Sequence, residues 1–147
     1  MAAKLAQAAE SGAVSRIALE RPASVRRLLP GWSDGWPLTE YLVGPENDGL
    51  NYLFAADLLS RLESVSPVLF YGDKHLGKTI LAITLAVRWS RTTRQRPLHF
   101  TTGGGFASDF AAACEIDDVD SFRQRHRGCK MLVIDDLDGL ASKPAAQ

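Results

Sequence analysis

Three features of the sequence predict an α/β fold built on a parallel sheet. From Leu38 onward, short runs of strand formers alternate with stretches of helical character. One run, Lys130-Met131-Leu132-Val133-Ile134-Asp135-Asp136, is apolar without interruption until its carboxylates, the pattern of a strand buried on both faces of a parallel sheet. The stretch Phe70-Tyr71-Gly72-Asp73-Lys74-His75-Leu76-Gly77-Lys78-Thr79 sets a glycine-bearing bend between a strand and a helix, a layout that α/β folds use to hold anions.

In chain order, residues 1–37 read as an arm or linker. Ala2 to Ala9 suits a weak helix. The stretch from Arg21 to Pro37 then carries three prolines, two glycines and the bases Arg21, Arg26 and Arg27, a density that punctuates rather than builds. A helix is expected over Gly49 to Glu63, capped by Asn47 or Asp48, because Leu50, Leu53, Phe54, Leu58 and Leu62 fall on one stripe. Pro67 to Tyr71 is expected as the first strand of the sheet, and a helix runs from Lys78 to Arg91. Arg88, Arg91, Arg94 and Arg96 read as its polar exit, closed by Pro97. Pro97 to Thr102 is the second expected strand. Two short helices, Gly105 to Cys114 and Asp118 to Arg127, flank the acidic turn at Glu115 to Asp118, and Lys130 to Asp136 is the third strand.

Composition narrows the class. The chain has 147 residues, 46% hydrophobic and 23% charged, enough for one globular domain with a core. Seventeen acidic residues balance seventeen basic ones, so net charge argues for neither nucleic acid nor membrane. Cys114 and Cys129 lie in no metal-ligand spacing and form no disulfide framework, so a reduced, cytoplasmic state is expected. The N-terminus has no secretory apolar region, and no apolar stretch approaches the roughly 20 residues that span a bilayer. His75, His99 and His126 stand apart in sequence and read as structural, and Trp32, Trp36 and Trp89 read as packing residues.

The chemistry concentrates in two motifs. Gly72 to Thr79 fits G-x-x-x-x-G-K-[ST] at every fixed position. Gly72 permits the turn out of the strand, and Gly77 lets backbone N–H groups approach phosphate oxygens. Lys78 supplies a point charge for the β and γ phosphates, and the Thr79 hydroxyl suits Mg²⁺. Ile80 continues the binding turn, where free N–H groups and the positive end of the helix dipole favour an anion. The expected partner is a buried strand ending in carboxylate, and Met131 to Asp136 provides it. In a P-loop fold that strand lies beside the P-loop strand. Asp135 then holds Mg²⁺ through its water shell, and Asp136 orients or polarises the attacking water. The reading is a P-loop nucleoside triphosphatase with ATP and Mg²⁺ as cofactors.

The order and spacing of LVGPEN, VLFYGDKHLGKTIL, FASDF and FRQRHRGCKMLVIDDLDGLASK resemble the AAA+ domain of the bacterial replication initiator DnaA, over about Leu38 to Gln147. The resemblance implies a three-layer sandwich with a parallel sheet, truncated after the acidic strand, with 1–37 as an arm and 38–147 as a partial nucleotide-binding domain. It implies that Val43 and Gly44 lie against adenine and that Gly72, Gly77, Lys78, Thr79, Asp135 and Asp136 make the phosphate, metal and catalytic contacts. The two short helices match the family's helical insertion, which shapes a helical oligomer and a path for single-stranded DNA. DNA-facing positions fall on Ala111 and Lys143. Partners implied for the full-length protein are ATP or ADP, origin and single-stranded DNA, and further copies of itself. Three positions depart from the family. Gly103-Gly104-Gly105 replaces polar residues and costs the helix start about 1 kcal/mol per glycine. Asp73-Lys74-His75 replaces small residues, and Ala145 replaces a basic one.

A complete AAA+ domain needs further strands, a helical lid and an arginine finger after this point. The expectation is therefore a fragment or truncated product with negligible turnover, since such an arginine contributes on the order of 10³–10⁵ in rate. Alternatives are a DnaA-related regulator or helicase loader without a DNA-binding domain, an inactive remnant, or a P-loop small-molecule kinase.

Overall fold

The computed structural model describes residues 14–20 and 38–141. The expected helix at Ala2 to Ala9, the bases Arg21, Arg26 and Arg27, Trp32 and Trp36, and Lys143 and Ala145 lie outside them. The described residues fall into two compact units, 14–20 with 38–93 and 94–141.

In the first unit, strand β1 (Ser15–Ala18) pairs antiparallel with β2 (Glu40–Val43), Ser15 opposite Val43 and Ala18 opposite Glu40. Leu19 N–H donates to Thr39 O at 2.8 Å just beyond the ladder. Alternation puts Ile17 and Val43 into the core while Arg16 and Leu42 face out. β1 falls inside the stretch read as an arm. Four residues of alternation are too short a signal to stand out beside the proline-rich segment that follows.

The single helix expected over Gly49 to Glu63 is instead three short pieces that follow a 3₁₀ turn (Pro45–Asn47): α1 (Gly49–Leu53), α2 (Ala56–Leu59) and a second 3₁₀ turn (Leu62–Val65). Ala55 is the break, with ψ of 143° in the extended region. The break swings Leu58 and Leu59 inward together, which a continuous helix with one narrow stripe does not do. Phe54, Leu58 and Leu62 of the predicted stripe are buried all the same.

The run Pro67 to Tyr71 forms no strand ladder, against expectation. Leu69 and Tyr71 are 64% and 88% exposed. Five residues of β propensity do not make a strand without a neighbour to complete the hydrogen bonds. After the loop, α3 (Lys78–Thr93) runs two residues past its expected end, and Arg94 at φ +58° stops it. Its buried set, from Leu81 through Ile83, Leu85, Ala86 and Val87 to Trp89, covers most of its circumference, so it is the centre of this unit rather than an amphipathic surface helix. Trp89 packs as expected, 1% exposed.

The second unit carries a parallel pair, though not the one expected: the acidic strand was read as lying beside the run Pro67 to Tyr71, and because that run forms no ladder it pairs instead with Leu98 to Thr102. β3 (Leu98–Thr102) and β4 (Met131–Asp135) run side by side, Leu98 opposite Met131 and Thr102 opposite Asp135. Lys130 N–H extends the ladder to Pro97 O at 2.8 Å. The β4 residues are half-buried rather than sealed on both faces, because the described parallel sheet has two strands where three were expected. Helix α4 (Gly103–Glu115) leaves β3 directly, and α5 (Val119–Arg127) follows a turn with Asp117 at φ +55°. A short helix, α6 (Asp138–Ala141), follows β4.

α4 begins two residues earlier than expected, and all three glycines lie within it. Thr102 caps it, its hydroxyl accepting from Gly105 N–H at 3.0 Å. The glycines that cost helix propensity permit a close backbone crossing. A Cβ on Gly103 would sit 2.5 Å from Asp136 O, and one on Gly139 would sit 2.6 Å from Gly104 N. α4 and α6 therefore meet backbone to backbone. Below the crossing, Phe106 and Phe110 meet Phe122 and His126 edge to face, with ring centroids 4.8–5.4 Å apart, which docks α5 on α4. Among the described residues no helix is long and apolar enough to cross a membrane.

Candidate nucleotide-site residues

The bend between Tyr71 and Lys78 is built by left-handed backbone at three positions. Gly72, His75 and Gly77 have φ of +140°, +67° and +78°. Glycine meets that demand without strain at the first and third. Space is also limited there, since a Cβ on Gly77 would lie 3.1 Å from the Tyr41 ring. Lys78 opens α3 and folds its ammonium back over the bend, donating to Gly72 O at 3.0 Å and Asp73 O at 2.7 Å. Asp73 to Leu76 are exposed, and Thr79 and Ile80 are half-buried in the first helical turn. Leu81 N–H donates to Gly77 O at 3.0 Å where α3 begins. A cation on a glycine-bearing bend at the start of a helix is a set of groups suited to polyphosphate.

β2 enters the same neighbourhood. Tyr41 donates its hydroxyl to Leu76 O at 3.0 Å. Two residues on, the Val43 side chain is sealed in the core at 1% exposure. Gly44 N–H donates to Asn47 Oδ1 at 2.8 Å, and Asn47 N–H returns to Gly44 O at 3.2 Å, which fixes the turn after the strand. The structure thus assembles Gly72, Gly77, Lys78, Thr79 and Ile80 into one bend tied to the strand that carries Val43 and Gly44. Tyr41 was not among the predicted site residues, although its signal was the aromatic in Glu40-Tyr41-Leu42-Val43-Gly44.

In the second unit, Asp135 ends β4, half-buried, and Asp136 follows at φ +48° with its side chain exposed. Asp136 O accepts from Gly139 N–H at 3.0 Å, which pins the turn into α6. Ala111 lies on the exposed side of α4.

The histidines are not isolated in space. His99 on β3 meets His126 on α5 edge to face, centroids 4.8 Å apart. His126 Nδ1 donates to Phe122 O at 2.9 Å, and the Nε2 atoms of both rings are buried without a partner. Burial pushes the His99 pKa below its ordinary value, helped by His126 and Arg125 and opposed by Asp109. Both cysteines are free, and Cys129 donates its thiol to His126 O at 3.0 Å. Burial pushes that thiol pKa up. Twenty-seven positions separate the two histidines, and no local pattern links them.

Residues 37–147 match the family model of the bacterial DnaA ATPase domain. The chain belongs to this family. Among curated proteins, the chromosomal replication initiator protein DnaA of Deinococcus deserti is 26% identical over 126 residues, 86% of this chain and 27% of the relative. DnaA of Helicobacter pylori strain J99 is 28% identical over 111 residues, 76% of this chain and 24% of the relative. DnaA of Deinococcus radiodurans is 27% identical over 107 residues, 73% and 23% respectively. The chain spans about a quarter of the length of these relatives. No solved structure matches it. The DnaA match takes in β2, the bend, α3 and the whole second unit, and it begins after β1.

Proposed function

We propose that this chain is the ATP-binding portion of a DnaA-type replication initiator. The observation that carries the reading is the bend itself: Lys78 held over left-handed glycines at the start of a buried helix, inside a match to the DnaA ATPase domain. Residues 38–147 are the partial AAA+ domain of a three-layer sandwich, and 1–37 precede it as an arm. Gly72, Gly77, Lys78, Thr79 and Ile80 bind the phosphates of ATP or ADP, and Val43 and Gly44 border the base. Thr79 and Asp135 would each serve as an Mg²⁺ ligand, and the ion would neutralise phosphate charge. Lys78 stabilises charge on the phosphoryl oxygens, and Asp136 orients water in the full-length protein. Ala111 and Lys143 belong to the DNA-facing surface. The partners are ATP, origin and single-stranded DNA and further DnaA copies in a helical assembly, in the cytoplasm.

Calorimetric titration of the full chain with ATP and with ADP, each with Mg²⁺, tests this. A saturable heat that disappears in Lys78→Ala supports it. Heat that Lys78→Ala leaves unchanged, or no heat with either nucleotide, removes the phosphate role of the bend.

A further inference from the structure

The segment that precedes the family-matched residues reaches the phosphate bend by two routes within the first unit. The first is the β1–β2 ladder. Ile17, 4% exposed, stands directly opposite Tyr41. Tyr41 then reaches two consecutive residues of the bend: its hydroxyl bonds Leu76 O, and its ring edge stands beside Gly77, 3.1 Å from where a Cβ would lie. These are the two residues immediately before Lys78. The second route runs through Glu20, just past β1. Its carboxylate pairs with Arg91 and with Arg88, whose Nε lies 3.1 Å from Glu20 Oε1, off the N–H axis, so the contact is an ion pair rather than a linear hydrogen bond. Arg88 also donates to Ala18 O and lays its guanidinium 5.4 Å from the centroid of the Phe54 ring. Both arginines project from α3, the helix that the bend begins. Arg88 and Arg91 therefore anchor this segment, where the sequence suggested only a polar helix exit.

We propose that Ser15 to Glu20 form a strap that positions the phosphate bend, with Tyr41 as the positioning residue that transmits it. The physical reason lies in the bend's own weakness. Gly72 and Gly77 have the widest conformational freedom of any residue, and neither has a side chain to pack. Beyond the Lys78 ammonium, which bonds Gly72 O and Asp73 O, a bend built on them depends on outside contacts for its shape. Tyr41 supplies a directional hydrogen bond and a wall at Gly77, and the ladder to β1 fixes the strand from which Tyr41 projects. Glu20 fixes the strap to the helix on the other side of the bend. The effect on nucleotide affinity rests on the function proposed above; the effect on the bend does not.

The experiment is hydrogen exchange on the full chain without nucleotide, comparing the parent with Tyr41→Phe, Glu20→Gln and Arg16→Gln. Tyr41→Phe keeps the ring and deletes only the donor. Arg16→Gln is the control, since it removes an exposed ion pair to Glu40 in the same ladder that does not touch the bend. Exchange across 72–79 several-fold faster in Tyr41→Phe and Glu20→Gln, with Arg16→Gln and the β3–β4 peptides unchanged, supports the strap. Unchanged exchange across 72–79 in both variants overturns it, as does acceleration spread evenly over the chain. ATP titration adds the readout that a merely structural role does not move. Tyr41→Phe is expected to weaken binding about 3–10-fold while lowering the unfolding midpoint by no more than the loss of one net hydrogen bond, whereas Lys78→Ala abolishes binding. Tyr41→Phe binding as tightly as the parent overturns the transmitting role while leaving the nucleotide reading intact. Loss of all binding in the parent overturns the nucleotide reading, and the exchange result still decides the strap.

Discussion

In the bend at 72–77, glycine supplies backbone angles. Gly72 and Gly77 sit at φ of +140° and +78°, on an exposed loop whose surroundings leave a Cβ tight but not excluded, 3.3 Å from Leu76 Cδ1 and 3.1 Å from the Tyr41 ring. At the start of α4, glycine supplies room. Gly103 is buried, has helical backbone that any residue adopts, and would drive a Cβ to 2.5 Å from the carbonyl oxygen of Asp136. The first pair shapes an exposed bend. The second lets α4 and α6 close on each other with nothing between. The same residue thus serves opposite ends, and the two uses differ in what a methyl group at each position must cost.

Substitution at Gly103 breaks the comparison hardest. Gly103→Ala pits a methyl against backbone atoms that cannot rotate away, and the expected loss is about 3 kcal/mol, the upper end of the usual overpacking range. Chemical denaturation measures it, and a loss below about 1 kcal/mol would show that α6 moves aside freely. Gly77→Ala comes next. Its cost is chiefly left-handed backbone in a residue with a Cβ, about 1–2 kcal/mol by the same measurement. It is also expected to weaken nucleotide binding, whereas Gly103→Ala acts on stability. Gly104→Ala sharpens the contrast, because an added Cβ there meets nothing within 4 Å. It is expected to stabilise by about 0.4–1 kcal/mol through helix propensity and a stiffer unfolded chain.

The smallest effect is one of pH. His99 has a depressed pKa in the folded unit, so the unfolded chain takes up the proton first. Stability is therefore undiminished at neutral pH, falls as pH drops through the ordinary histidine range near 6.5, and levels off once pH is below the folded value. The groups facing His99 are His126, Arg125 and Asp109, and Arg125 approaches Asp109 to 3.9 Å. Denaturation midpoints of the parent and His99→Phe between pH 7 and 5 check this. The variant is expected to lose less stability over that interval, and parallel curves would exclude His99 as the source.

How far the residues alone could be read differs element by element. The long helix after the bend, the strands Leu98–Thr102 and Met131–Asp135 and the helices between them were legible, because each carries a run of one clear pattern, but that these two strands pair with each other was not. The helix expected at 49–63 was read from a true apolar stripe, and most of that stripe is buried, but periodicity does not report where a chain breaks. Ala55, a good helix former, is the residue that turns extended. The strand at Pro67 to Tyr71 was read from propensity, which counts for little where no ladder forms. Tyr41 stood in plain view beside Val43 and Gly44, yet nothing in a linear string says that its hydroxyl ends at Leu76.

The chain's own letters make the G-x-x-x-x-G-K-[ST] pattern legible, because such a motif is local: a lysine, a hydroxyl and two glycines stand at fixed offsets within one short stretch. Only three-dimensional packing decides the rest. That Glu20 clamps Arg88, that Gly103 makes way for Asp136 and that His99 meets His126 are contacts between residues 27 to 68 positions apart. Contacts of that range depend on how whole elements dock, and side-chain pattern along a single element carries no record of it.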